Sequence, residues 1–209
     1  LLSRNTPLEY FIEGGRSRTG RLLPPKTGML AMTIHSHLRG RAKPIAFVPT
    51  YIGYERLMEG STYVGEMQGK PKESESLMGI LKTMRKIERI FGKVHVNFGE
   101  PVFLDDVLKQ HDAEHISIEK NDDPIPPQVS DAVNTSAHAI LENINRAAVI
   151  NPVSLLSLIL LATPKHTLDE EICVKQLDTY RNLLTALPYD ERTQVTSLSG
   201  NEIIAYGLK

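Results

Sequence analysis

Residues 11–21 read FIEGGRSRTGR, which places one carboxylate, two adjacent glycines and three arginines within nine positions. Guanidinium forks are permanently charged and match phosphate or carboxylate oxygens in paired geometry. Gly14 and Gly15 allow unusual dihedrals and close backbone approach. Ser17 and Thr19 add hydroxyl donors, and Glu13 can hold an arginine or accept from a ligand hydroxyl. Glu13, Gly14, Gly15, Arg16, Ser17, Arg18 and Arg21 therefore read as a cradle for a small anionic ligand. The competing account is a solvated turn whose arginines pair with acids elsewhere in the chain. A nucleoside triphosphate loop does not fit. Gly15 and Gly20 have its G-x-x-x-x-G spacing, but Arg21 stands in place of lysine and Leu22 in place of Ser/Thr. Pro24 and Pro25 obstruct the helix that should follow.

Such a loop needs a rigid base. PLEYFIEG (7–14), rich in aromatic and branched residues and stopped by a glycine pair, predicts a buried strand whose carboxyl end carries the loop. LLPPKTG (22–28) is a loop, and GMLAMTIHSHLRG (28–40) has helical spacing between glycines. PIAFVPTYIGYE (44–55) predicts a second strand, broken at Pro49. ESESLMGILKTMRKIERIFG (73–92) is an amphipathic helix pattern, and KVHVNFGEPVFL (93–104) predicts a third strand. Alternating strands and helices predict an α/β fold, a mainly parallel sheet flanked by helices, across residues 1–110. Residues 111–130, including KNDDPIPPQVS (120–130), read as a linker, and residues 131–209 as an α-helical region. Thr167 and Glu170 stand in capping-box register there.

Other candidates carry weaker signals. His35 and His37 lie two apart in the first predicted helix and read as helix surface. HDAEH (111–115) spaces two histidines one helical turn apart but lacks the pattern of a zinc protease helix, so a solvated loop is the expectation. Cys173 falls in an amphipathic pattern and reads as core. VSLLSLILLA (153–162) is too short to cross a bilayer and reads as a core helix, with interfacial lipid contact as the alternative.

Composition narrows the classes. A single cysteine excludes a disulfide framework, and 41% apolar residues suffice for a core. Residues 1–60 hold nine Lys/Arg against four Asp/Glu, whereas the remainder hold fifteen against twenty-one. That basic end predicts an anionic ligand or surface. A nucleic-acid-binding module or a non-catalytic module on anionic membrane is the rival reading. The nucleic-acid version lacks a recognition-helix pattern and has only Tyr10 and Phe11 as aromatics beside the arginines.

FIEGGRSRTGR followed by IAFVPTYIGYE resembles the third and fourth conserved blocks of the glycerol-3-phosphate acyltransferases. The likeness is dense over residues 8–104 and is strongest to the large membrane-associated bacterial enzymes. It implies acyl transfer from acyl-CoA or acyl-carrier protein to the first hydroxyl of glycerol 3-phosphate, the entry to phospholipid synthesis. It also implies a peripheral position on the cytoplasmic side of a bacterial inner membrane, contact with phospholipid, no nucleic acid, and no metal or redox cofactor. By the same resemblance Glu13, Gly14, Gly15, Arg16, Ser17 and Arg18 bind the glycerol phosphate and Pro49 shapes a wall of the site. The family's catalytic element is a histidine followed five places on by an aspartate. None of the seven histidines has that partner. His95 with Glu100, and His166 with Glu171, have only a glutamate there, and neither is expected to act as a pair. The expectation is a dyad upstream of Leu1 and a chain that binds substrate weakly without turnover.

Overall fold

The computed structural model describes residues 6–15, 21–41, 43–55, 93–118 and 124–208. The amphipathic pattern at 73–92 and the residues Arg16, Ser17 and Arg18 lie outside them. The chain divides into two compact units, residues 1–51 with 98–147 and residues 52–97 with 148–209.

In the first unit, helix α1 (Gly28–Ser36) buries Leu30, Thr33 and Ile34, then widens into a π-type turn, His37–Arg41, that contains Gly40 at φ +65°. Short strand β1 (Ala46–Phe47) pairs antiparallel with β4 (Val102–Phe103), and Leu104 N–H donates to Ile45 C=O at 3.0 Å beside that pair. Helix α2 (Leu104–Gln110) follows directly, burying Leu104, Val107 and Leu108. Helix α3 (Pro127–Arg146) starts on a proline, which suits a first-turn position without a donor. It buries Val129, Ala132, Val133, Ser136, Ala137, Ile140 and Leu141. That is an unbroken three-and-four spacing with several small residues, and α1 and α2 pack against it. Strand β2 (Thr50–Tyr54), whose residues fall mostly in the second unit, pairs with β3 (Val94–Phe98), which does likewise. Gly99 N–H donates to Pro49 C=O at 2.8 Å and Glu55 N–H to Lys93 C=O at 3.2 Å, the order of an antiparallel pair.

In the second unit, helices α4 (Pro152–Ala162), α5 (Glu170–Ala186) and α6 (Gly200–Gly207) enclose Leu155, Ile159, Cys173, Leu177 and Ile203. Each helix start is capped by a side chain: Asn151 accepts from Ser154 N–H, Asp169 from Glu171 and Ile172 N–H, and Ser199 forms a reciprocal box with Glu202. Strand β5 (Val149–Ile150) runs parallel to β6 (Gln194–Val195).

Mixed α/β architecture is what the sequence predicts; several details differ. Among the described residues the strands form three two-stranded sheets, β1–β4, β2–β3 and β5–β6. Residues 7–14 are not a strand. They run irregularly into a turn, with Ile12 buried and Phe11 exposed. Extended propensity without a neighbour to satisfy both backbone edges does not make a ladder. The predicted second and third strands each divide, the second around Val48–Pro49 and the third around Gly99–Pro101, because a proline in each stretch removes a ladder donor. The cap of α5 is Asp169, not Thr167. Helix α3 belongs to the first unit, so the helical stretch expected from residue 131 is divided between the units after Ala147. No helix among the described residues is long and apolar enough to cross a membrane.

Candidate anion-binding site

The segment before α1 folds back on itself. Gly14 N–H donates to Phe11 C=O at 3.0 Å, which turns the chain, and Gly14 sits at φ +60°. Leu23 N–H donates to the Glu13 carboxylate at 2.8 Å, and Lys26 N–H donates to Ile12 C=O at 2.7 Å. Pro24 and Pro25 have no N–H to offer. Both donors available between Leu23 and Lys26 are thus spent on residues 12 and 13, and the chain leaves the loop where it entered. Ile12, 6% exposed, anchors this junction in the core with Leu30 and Ile34. Glu13 is half-buried, whereas Gly14, Gly15 and Arg21 are exposed.

Two further features gather positive character there. A Cβ on Gly14 would lie 2.8 Å from Lys26 Cγ, so the lysine stem rests on the glycine. Lys26 is exposed and was not among the residues singled out from sequence. Its signal was its place just before a helix start, which becomes meaningful only once the loop closes. Among the described residues Thr27 makes no side-chain cap and the first turn of α1 carries no acid, and the positive pole of that helix lies next to Lys26.

Pro49 occupies a different setting. It is fully buried, packed against Gly99, and presents no surface of its own.

The remaining candidates resolve individually. His35 and His37 are half-buried rather than on the helix surface, and Nε2 of His35 and Nδ1 of His37 are buried without a hydrogen-bond partner among the described residues. Burial, then the Arg39 charge, lowers the His35 pKa. His37 Nε2 lies 3.2 Å from Asp105 Oδ1, beside a concavity of about 360 Å³ that Lys109 and Glu114 also line. That pair stands at the far end of the nine-residue α1 from the loop, about 13 Å along the axis. It cannot serve the loop as a proton acceptor. His111 bonds Thr135 at 2.8 Å and His115 is exposed beside Glu114, so the two do not share a ligand. No group of three His, Cys, Asp or Glu side chains among the described residues is placed to hold a metal ion. His95 faces Glu55, not Glu100. Cys173 is core, and burial followed by the Glu170 charge raises its pKa.

Tyr10 lines a second concavity, of about 370 Å³, with Pro7, Leu8, Lys43, Ile45 and Phe47. Its hydroxyl is buried without a hydrogen-bond partner among the described residues, and burial pushes its pKa up to about 12. An unsatisfied buried donor costs about 1 kcal/mol or more. Tyr10→Phe is therefore expected to stabilise the chain by about 1 kcal/mol in urea unfolding, and a loss of stability would show that the hydroxyl has a partner.

The family sequence model described as "Glycerol-3-phosphate acyltransferase C-terminal region" matches residues 63–209, and the one described as "Acyltransferase" matches residues 1–53. A glycerol-3-phosphate acyltransferase of Xanthomonas campestris pv. campestris is 46% identical over 207 residues, which are 99% of this chain and 23% of that protein. The glycerol-3-phosphate acyltransferase of Pseudomonas fluorescens (strain SBW25) is 43% identical over 206 residues, 99% of this chain and 25% of that protein. The chain spans about a quarter of the length of these curated relatives. With most of its length matched by the family's C-terminal region and nearly all of it by such relatives, the chain belongs to the glycerol-3-phosphate acyltransferase family.

Proposed function

We propose that this chain supplies the glycerol-phosphate-binding part of an enzyme that acylates the first hydroxyl of glycerol 3-phosphate, with acyl-CoA or acyl-carrier protein as donor. The observation that carries the reading is the bond that joins Glu13 to Leu23 on either side of the arginine run, next to the positive pole of α1 in a chain of this family. Arg16, Arg18 and Arg21 hold the phosphate, with Ser17 and the Gly15 backbone donor beside them, and Gly14 allows the close approach. Lys26 adds a fourth cation. Pro49 supports the wall from behind. The substrate hydroxyl attacks the thioester carbonyl, the new C–O bond forms, the C–S bond breaks and the thiol leaves. A histidine–aspartate dyad outside these 209 residues takes the hydroxyl proton. A thioester is already activated, so the step calls for no metal or redox cofactor.

In the longer enzyme, the strands of this chain join a larger, mainly parallel sheet flanked by helices. The enzyme sits peripherally on the cytoplasmic face of a bacterial inner membrane. Exposed Leu158 and Leu161 on α4 and the amphiphilic product favour that position.

Titration of the 209-residue chain with glycerol 3-phosphate, followed by amide NMR, tests the reading. The Gly14, Gly15 and Lys26 signals are expected to shift with a Kd on the order of 1 mM. Glycerol should leave them in place, and joint Arg16→Ala and Arg18→Ala replacement should weaken binding at least about tenfold, or 1.4 kcal/mol. Equal responses to glycerol and to glycerol 3-phosphate would sink it.

A further inference from the structure

We infer that Glu13 is a positioning residue: its carboxylate closes the arginine-bearing loop and does not receive the substrate. The Glu13–Leu23 clasp rests on geometry alone; its consequence for glycerol 3-phosphate binding rests on the proposed function.

The residue types around Glu13 allow few other ways to close this loop. Pro24 and Pro25 lack N–H groups, which leaves Leu23 as the donor nearest the loop's exit. Its N–H donates to Glu13 Oε2 at 2.8 Å across ten residues. The neighbouring Lys26 to Ile12 bond sets the two strands of the loop neck side by side but leaves the positions of residues 13 and 23 undetermined. Glu13 fixes them. A charged acceptor strengthens such a bond, and the half-buried setting limits competition from water. With the neck fixed, Gly14 keeps its left-handed conformation and the Lys26 stem keeps its place on it. A neck ordered in advance spares the ligand the cost of ordering it.

The chemistry separates this role from direct contact. A glutamine oxygen reaches as far as a glutamate oxygen and still accepts from Leu23 N–H, whereas aspartate keeps the charge but falls one methylene short. A substrate contact or an ion pair with an arginine needs the charge; the clasp needs the reach.

Hydrogen exchange at the Leu23 amide and glycerol 3-phosphate titration, both on the 209-residue chain, form the test. Glu13→Ala and Glu13→Asp are expected to speed Leu23 exchange at least tenfold and to weaken binding severalfold, while Glu13→Gln restores both. Should Glu13→Ala prove unfolded, the Asp and Gln pair decides alone. Leu23 exchange unchanged in Glu13→Asp would overturn the clasp. Binding lost in Glu13→Gln but kept in Glu13→Asp would show that the carboxylate touches the ligand. Exchange that responds while no variant alters binding would leave the clasp standing, overturn its consequence for the ligand, and count against the proposed function.

Discussion

Glu55→Ala is expected to lower the unfolding free energy of the chain by about 3 kcal/mol at neutral pH. The side chain stands just after β2 and is 1% exposed. One carboxylate oxygen accepts from Lys93 N–H at 2.9 Å and from the Tyr206 hydroxyl at the end of α6; the other faces His95 Nε2 at 3.4 Å. The Lys93 ammonium lies 5.7 Å from the Tyr206 ring centre, a cation–π distance. Alanine would strand three donors in a half-buried setting at once. Tyr206→Phe removes one donor and leaves the carboxylate two, so its cost is about 1–2 kcal/mol. The pH dependence has a definite sign. Burial alone would raise the Glu55 pKa, but the bonds from Tyr206, Lys93 and His95 and the His95 charge outweigh it, and the net direction is down. A carboxyl group depressed on folding contributes stability above its unfolded pKa of about 4.3. That contribution fades as pH falls through the lower folded value. Urea unfolding should therefore show a wide gap between wild type and Glu55→Ala at pH 7.5 that narrows steadily below about pH 4.3. A gap under about 1 kcal/mol at pH 7.5 would mean the three donors find other partners.

This cluster also shows where sequence reading ends. Glu55 and His95 are 40 positions apart and Glu55 and Tyr206 are 151 apart, and no local pattern marks such a meeting. By contrast, α3 was legible because burying Val129, Ala132, Val133, Ser136, Ala137, Ile140 and Leu141 is a local, periodic demand. Pro49 was legible as a break because a missing N–H acts on its own residue. Residues 7–14 misled because a strand is a relation between segments: aromatic and branched residues permit it, and only a partner completes it. Helix α2 is seven residues long, too few for a period to emerge, and the Ser199–Glu202 box that starts α6 went unread although both residues stand in its register. At the candidate site the residue types were readable, since charge and glycine act locally. The use of Glu13 and the arrival of Lys26 were not, because both depend on the neck closing around two prolines.

The junction under Pro49 carries the other large effect. Gly99→Ala is expected to cost about 3 kcal/mol, at the upper end of ordinary overpacking. An added Cβ would lie 2.5 Å from the carbonyl oxygen of Asn143, 3.0 Å from its carbonyl carbon and 3.2 Å from Pro49 Cβ. Two of these neighbours are helix backbone and the third is a fully buried ring, so none yields by a rotamer change. The glycine is also held where it is: its N–H donates to Pro49 C=O at 2.8 Å, and Asn143 Nδ2 donates to Glu100 C=O at 2.8 Å. Relief therefore requires α3 or the Pro49 segment to move, and either motion opens the contact that seats Pro49. Gly28→Ala is the control. A Cβ there meets nothing within 4 Å, and Gly28 is the first residue of α1. Alanine at that position should be neutral or add about 0.5 kcal/mol by restricting the unfolded chain. Urea unfolding followed by far-ultraviolet circular dichroism measures both variants on one scale. If Gly99→Ala fell within about 0.5 kcal/mol of Gly28→Ala, α3 would not press against Gly99, and Pro49 would be seated by something other than this junction.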